Sequence, residues 1–217
     1  MTTPRPGKIV CVGRNYRAHA AELGNEVPSE PLLFLKPPSS VISTGDPIVL
    51  PAASKQVEFE GEIGIVIGTR LKDASESDAR SAVAAVMALN DVTARDLQRS
   101  DGQWTRAKGF DTFCPIGEPV DPPSDLGTLT ITTRVNGDVR QSGRASDMVF
   151  SIPFLLSYIS RIMTLEPGDC VATGTPSGVG RLAPGDVVEV EVMRSVVRNV
   201  VRERGETGKQ KADSRKQ

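Results

Sequence analysis

The stretch Val57-Glu58-Phe59-Glu60-Gly61-Glu62-Ile63-Gly64-Ile65-Val66-Ile67-Gly68 constrains this chain most tightly. Its second half reads as a β-strand, because Ile63, Ile65, Val66 and Ile67 are β-branched and Gly68 closes the run. On a strand Glu60 and Glu62, two positions apart, project from one face. Two carboxylates side by side repel each other, and each is costly to bury alone. A hard divalent cation such as Mg²⁺, Mn²⁺ or Ca²⁺, which takes oxygen ligands, relieves both effects. A solvated acidic strand end is the competing reading, and the two acids alone do not choose between them. Glu58 is a further acid on the same face and is placed outside the metal ligands.

The remaining composition narrows the function classes. A chain of 217 residues suffices for one sizeable core. A net charge of −1 gives no electrostatic case for a nucleic-acid partner. No apolar run approaches the roughly 18 residues of a membrane span, and the N-terminus has no apolar signal segment, so a cytoplasmic location is expected. Cys11, Cys114 and Cys170 are odd in number and lack ligand spacing. They are expected to stay reduced and to pack as small hydrophobes.

In chain order, Lys8–Gly13 reads as a short strand and Arg14–Gly24 as a short helix with Gly24 at its C-terminal cap. That helix places His19, the only histidine, three residues before Glu22 and on the same face. Such a pair is either a surface His–Glu contact or an oriented imidazole base. Leu32–Leu35 and Pro47–Pro51 read as strands. Ser75 followed by Asp78 resembles a capping box, and Ala79, Ala82, Val83, Val86 and Met87 then repeat at helical period, which predicts a helix through Met87. Asp91 would follow that helix directly, and a second turn or helix would carry Arg95, Asp96 and Gln98. Lys108 lies in a mixed polar and apolar stretch. Thr128–Val135 alternates as a strand into the hairpin turn Asn136-Gly137. Ser151 caps a predicted helix through Met163 with Phe154, Leu155, Tyr158, Ile159 and Ile162 toward the core. The turns Glu166-Pro167-Gly168-Asp169 and Ala183-Pro184-Gly185-Asp186 match, and both are expected at the edge of one sheet system. Between them Ala172–Gly180 is a glycine-rich turn whose backbone N–H groups can approach an anion; it has neither the lysine of a P-loop nor a dinucleotide fingerprint. Residues 198–217 carry seven Lys/Arg against three Asp/Glu and are expected to form a disordered basic tail after a single domain spanning 1–197.

Taken together, G-R-N-Y-x-x-H-x-x-E, L-F-L-K-P, E-G-E-I-G-I-V-I-G, N-D-V-T-A-R-D-L-Q, W-x-x-A-K-x-F, F-S-I-P and T-G-T-P-x-G-V-G occur in this order from about Lys8 to about Val192. This series resembles the fumarylacetoacetate hydrolase family, in particular its short acylpyruvate hydrolase and oxaloacetate decarboxylase branch. The resemblance implies a mixed α+β, β-rich sandwich or roll with a few flanking helices, a homodimer, and Mg²⁺ or Mn²⁺. It implies that Glu60, Glu62 and Asp91 hold the metal and that His19 and Glu22 form a dyad on a segment closing over substrate. Lys108 is implied to lie near the metal, and Arg95, Gln98 and Thr175 to contact substrate.

The activity implied is metal-dependent cleavage of a C–C bond in 2,4-dioxo acids, with oxaloacetate decarboxylation at the same site. Isomerisation of an unsaturated 2-hydroxy diacid of the 2-hydroxyhepta-2,4-diene-1,7-dioate type, as in aromatic catabolism, is a close alternative. A non-catalytic, metal-stabilised binding module is the alternative of another class, and the sole histidine at the dyad position speaks against it.

Overall fold

The computed structural model describes residues 6–22, 24 and 26–205. In chain order the elements are β1 (Ile9–Gly13), α1 (Arg17–Glu22), β2 (Leu32–Lys36), β3 (Val41–Ile42), β4 (Ile48–Leu50), β5 (Val57–Phe59), β6 (Gly61–Ile67), α2 (Glu76–Ser81), β7 (Val83–Asn90) and β8 (Thr93–Ala94). There follow α3 (Arg95–Ser100), α4 (Thr105–Lys108), β9 (Cys114–Pro115), β10 (Thr130–Val135), β11 (Asp138–Arg144), α5 (Ile152–Ile162), β12 (Cys170–Ala172), β13 (Gly180–Arg181), β14 (Val187–Val192) and β15 (Ser195–Glu203). No helix among the described residues is long and apolar enough to cross a membrane.

Two five-stranded sheets, ordered β2-β1-β12-β6-β7 and β11-β10-β14-β15-β4, form the sandwich. Ile63, Ile65 and Val86 of the first sheet and Ile131, Val190 and Val197 of the second share one buried cluster, which α2 and α5 close with Ala79, Ile152, Leu156 and Ile159. The opposite face of the first sheet buries the three cysteines with Ile9, Met87 and Leu89. All three thiols are free, and burial raises the pKa of each, which disfavours the reactive thiolate. Their packing role is as expected.

The mixed α+β, β-rich class anticipated from the sequence is the fold observed, and several elements differ in detail. The capping interaction is present: Ser75 accepts from the Asp78 N–H. The helix it starts ends at Ser81, however, and Val83–Asn90 is a strand paired antiparallel along β6. The run is apolar at nearly every position, so it satisfies a helical stripe and a two-sided buried strand equally, and only the partner strand decides. Gly68 lies so close that an added Cβ would stand 2.7 Å from Ala84 Cβ. Asp91 therefore leaves a strand, not a helix.

On α5, Ser151 caps as expected, and Leu155 and Ile159 are buried. Ile162 is exposed, while Phe154 and Tyr158 are half-buried and stack in line with Phe150. The inward stripe runs instead through Ile152, Leu155, Leu156 and Ile159. The two matching turns have the same form, with Gly168 at φ 88° and Gly185 at φ 91°, yet they lead into β12 and β14, which lie in different sheets. Residues 198–203, read from their charge as tail, are the second half of β15. There Val197, Asn199 and Val201 face inward while Arg198 and Arg202 face solvent, and Val201–Glu203 pair in parallel with β4. The arginines made a half-buried strand look like a solvated segment. Residues 206–217 lie outside the described residues.

The detail that positions the site is a change of sheet at Glu60. Strand β5 pairs with β13 and β8, whereas β6 pairs with β12 and β7. The Glu60 N–H donates to Asn90 Oδ1 at 3.0 Å, and its carbonyl accepts from the Asp91 N–H at 2.8 Å. Gly61 is required next to it, because a Cβ there would lie 1.9 Å from Thr133 Oγ1. Gly61→Ala is expected to destabilise the fold by about 1–3 kcal/mol through overpacking. Adding Thr133→Ala, which removes the clashing hydroxyl, should restore part of the loss in chemical denaturation. An unchanged midpoint for Gly61→Ala would contradict this packing.

Candidate active site

Glu60, Glu62 and Asp91 are buried, and each presents a carboxylate oxygen within 4.8 Å of the others. Glu60 stands at the sheet change and Glu62 on β6. Asp91 follows β7, whose register places Asn90 opposite Gly61. These carboxylates line a cavity of 310 Å³ together with His19, Lys108 and Thr175.

Cations surround the triad unevenly. Lys108 Nζ donates to Glu60 Oε2 at 2.7 Å and to Asp91 Oδ2 at 2.5 Å. Lys36 Nζ donates to Asp91 Oδ1 at 2.6 Å, and both side chains are fully buried. Arg95 Nη2 donates to Glu60 Oε1 at 2.5 Å, and its Nε to Glu58 Oε2 at 2.8 Å. Glu58 thus stays outside the triad, as expected, and neutralises the arginine that braces Glu60. Burial opposes ionisation of Glu60, but Lys108 and Arg95 outweigh it and hold the carboxyl well below its ordinary range. Glu62 is the opposite case. Among the described residues it accepts only the Gly174 N–H, at 2.8 Å. Burial, followed by the charges of Asp91 and Glu60, pushes its pKa well above the ordinary glutamate value, and Lys108 and the Gly174 N–H do not compensate.

Of the four acids, Glu58, Glu60 and Asp91 are directly paired with Lys36, Arg95 or Lys108, and Glu62 has no such pair among the described residues. An all-oxygen donor set with an uncompensated buried carboxylate fits a hard divalent cation. The residues present match that group by donor chemistry and by charge.

His19 and Glu22 project from α1 as the spacing predicted. His19 is 4% exposed, and its Nδ1 lies 3.2 Å from Glu22 Oε2. Glu22 also accepts the Gly178 N–H at 3.0 and 3.2 Å. The glycine-rich loop thus binds anions through its backbone, and the anions are the protein's own Glu22 and Glu62 carboxylates. Gly178, at φ 99°, is confined to glycine because a Cβ would stand 2.0 Å from the Arg140 carbonyl oxygen.

The expected substrate contacts all line the cavity, with differing freedom. Arg95 is committed to Glu58, Glu60 and Gln98 Oε1. The Thr175 hydroxyl donates to the Gly61 carbonyl at 2.7 Å and accepts from Gln141 Nε2 at 2.8 Å. Three contributors were not singled out from the sequence. Lys36 stands before the proline of the L-F-L-K-P motif, and its place in that motif and at the end of an apolar strand were its signals. Phe34 lies 4.9 Å beneath Lys108 Nζ, and Trp104 packs edge-on to Phe34 at 5.3 Å. Both aromatics stand in the ordered motifs, Phe34 in L-F-L-K-P and Trp104 in W-x-x-A-K-x-F, but neither was assigned a role there.

A β-rich sandwich that gathers three buried carboxylates and a glutamate-paired histidine around one cavity defines a class of metal-site proteins. Comparison identifies the family. The model described as "Fumarylacetoacetate (FAA) hydrolase C-terminal" matches residues 8–205, and the chain belongs to the fumarylacetoacetate hydrolase family. It is 47% identical to a mitochondrial oxaloacetate decarboxylase of Dictyostelium discoideum, over 83% of this chain and 84% of that protein. The structure of a 2-hydroxyhepta-2,4-diene-1,7-dioate isomerase from Mycobacterium marinum superposes with a TM-score of 0.84 at 42% identity, covering 93% and 76% of the two chains. That of a fumarylpyruvate hydrolase from Pseudomonas aeruginosa, in complex with Mn²⁺ and pyruvate, gives 0.85 at 31% identity, covering 92% and 91%.

The raised Glu62 pKa has two measurable consequences. A folded-state value above the unfolded one stabilises the protein at low pH, and this contribution is lost as pH rises beyond the ordinary glutamate value. In excess chelator Glu62→Gln should therefore melt above the wild type at pH 8, by about 2–4 °C per kcal/mol relieved, with the gap narrowing toward pH 5. A lower melting point at pH 8 would contradict the assignment. Divalent cation binding should also release protons, so affinity rises with pH; calorimetry in buffers of different ionisation enthalpy reads this directly.

Proposed function

We propose that this chain is a divalent-metal-dependent hydrolase acting on 2,4-dioxo acids of the acylpyruvate or fumarylpyruvate type, and that the same site decarboxylates oxaloacetate. The observation carrying this reading is the buried Glu60–Glu62–Asp91 triad opening into the cavity that His19 also lines. Glu60, Glu62 and Asp91 would hold Mg²⁺ or Mn²⁺. When bound, the cation supplies positive charge for the keto and carboxylate oxygens of a 2-oxo acid, where negative charge gathers as the bond beyond C3 breaks.

The chain's own groups supply the rest. With Nδ1–H directed at Glu22, the ring is fixed in the tautomer whose Nε2 carries a lone pair. Nε2 would take a proton from water as that water attacks the distal carbonyl. Cleavage then yields the acyl group as a carboxylic acid, and the electron pair passes to C3 of the pyruvate unit as an enolate, which a proton returns to pyruvate. Lys108 would hold Glu60 and Asp91, and Lys36 would hold Asp91, through direct ion pairs, and both add positive charge beside the triad. For oxaloacetate, loss of CO₂ reaches the same enolate without water attack.

Isomerisation is the second reading, supported by the likeness to the Mycobacterium marinum isomerase; it needs only proton transfer at the same enolate. A homodimer belongs to the proposal as well. Strand β2 is a sheet edge exposing Leu32 and Leu35, a surface that a second copy could cover.

Pyruvate release from acetylpyruvate, fumarylpyruvate and oxaloacetate, with Mg²⁺ and then with excess chelator, tests the reaction. Chelator-sensitive release from the two acylpyruvates is expected. Release from oxaloacetate alone would reduce the activity to decarboxylation, and release from none would move the isomerase reading forward. His19→Ala should slow hydrolysis by about 10²–10⁴-fold with cation binding intact, whereas Glu60→Ala should abolish cation binding and every activity. Unimpaired hydrolysis by His19→Ala would remove the base assignment.

A further inference from the structure

The cations lining the cavity differ in what they already hold. Lys108 is already paired with Glu60 and Asp91, and Arg95 with Glu58, Glu60 and Gln98. Arg99 is exposed and donates to Gln56 Oε1 at 2.6 Å. Arg14 also lines the cavity, is half-buried, and makes no side-chain hydrogen bond or ion pair among the described residues.

The backbone holds Arg14 there against its preference. Its φ is +58°, in the left-handed region that arginine seldom adopts. The next residue enforces this. Asn15 is fully buried; its Nδ2 donates to the Phe150 and Thr173 carbonyls at 3.1 and 2.8 Å, and its Oδ1 accepts the Phe150 N–H at 2.9 Å. The Asn15 carbonyl accepts the Val149 N–H at 2.7 Å. Gly174 presses against it so closely that an added Cβ would stand 2.7 Å from Asn15 Cβ. A strained residue fixed this firmly beside a cavity points to a positioned side chain. Arginine presents a planar fork of donors suited to a carboxylate.

We propose that Arg14 binds a second carboxylate of the substrate, remote from the triad, so that this site selects 2-oxo diacids over 2-oxo monoacids. The proposal rests on the reading of the cavity as a 2-oxo acid site and names its preferred class. A dianionic substrate brings one more negative charge than a monoacid, and Arg14 is the cation in the wall that has no side-chain hydrogen bond or ion pair among the described residues, whereas Arg99 is held by the Gln56 amide. Fumarylpyruvate, with a carboxylate at each end, has the required form; acetylpyruvate does not.

The test compares the wild type with Arg14→Asn, which tolerates a left-handed backbone, and with Arg14→Lys, which keeps the charge without the fork. Thermal melting establishes that each variant folds. Calorimetric titration of the Mg²⁺-loaded proteins with 2-oxoglutarate and with 2-oxopentanoate, which lacks the terminal carboxylate, reads binding without turnover. Arg14→Asn should weaken 2-oxoglutarate by about 10–100-fold, the range for a lost charge-assisted hydrogen bond, and change 2-oxopentanoate by less than about 3-fold, with Arg14→Lys in between. In turnover, kcat/KM should fall for fumarylpyruvate and hold for acetylpyruvate. Equal losses for diacid and monoacid, no loss for either, or no binding of 2-oxoglutarate by the wild type would each overturn the role of Arg14. If the wild type binds both probes with the expected selectivity but releases no pyruvate from any substrate, the hydrolase reading fails and the Arg14 assignment stands.

Discussion

The constraint on which the structure depends is the mutual repulsion of buried carboxylates. Glu60, Glu62 and Asp91 sit out of water with oxygens converging on one point. Isolated charges in that setting are strongly disfavoured. Lys36, Lys108 and Arg95 offset much of the repulsion, and Glu58 in turn neutralises part of Arg95. The remainder falls on Glu62, which among the described residues accepts one backbone N–H and forms no direct ion pair. A divalent cation supplies what is missing there, so the binding chemistry follows from an electrostatic imbalance that the fold itself maintains.

The fold maintains it through close backbone approaches more than through side-chain bulk. The chain changes sheets at Glu60, so the two carboxylates of a single E-x-E segment reach the cavity from the junction and from β6. Gly61 makes the change possible beside Thr133, and Gly174 lets an N–H reach Glu62 while pressing on Asn15. The glycine-rich loop also holds Glu22 through Gly178, so one loop ties the triad to the dyad. The carboxylate triad and the His19–Glu22 pair are thereby set by the same few backbone positions.

How much of this was legible in the sequence differs residue by residue. Glu60 and Glu62 stand two apart, and His19 is the sole imidazole with Glu22 on its face, so local spacing exposed both pairs. Asp91 lies some thirty residues from Glu60 and joins it only through the β6–β7 register, which the ordered motifs implied and the local pattern did not. The run over residues 83–87 was read as helix because an almost wholly apolar segment satisfies both periods; its partner strand decides. Lys36 went unnoticed because its carboxylate partner is 55 positions away. Arginines at 198 and 202 masked a strand whose inward residues alternate regularly. Sequence disclosed what neighbours in the chain arrange, and long-range pairing arranged the rest.

Anomalous diffraction from crystals grown with Mn²⁺ tests the central claim most directly. The account predicts one strong peak per chain, within coordination distance of one oxygen each from Glu60, Glu62 and Asp91, with the Glu62 carboxylate drawn onto the ion. A peak elsewhere, or an empty triad with the lysines still closed on Glu60 and Asp91 at saturating Mn²⁺, would contradict it.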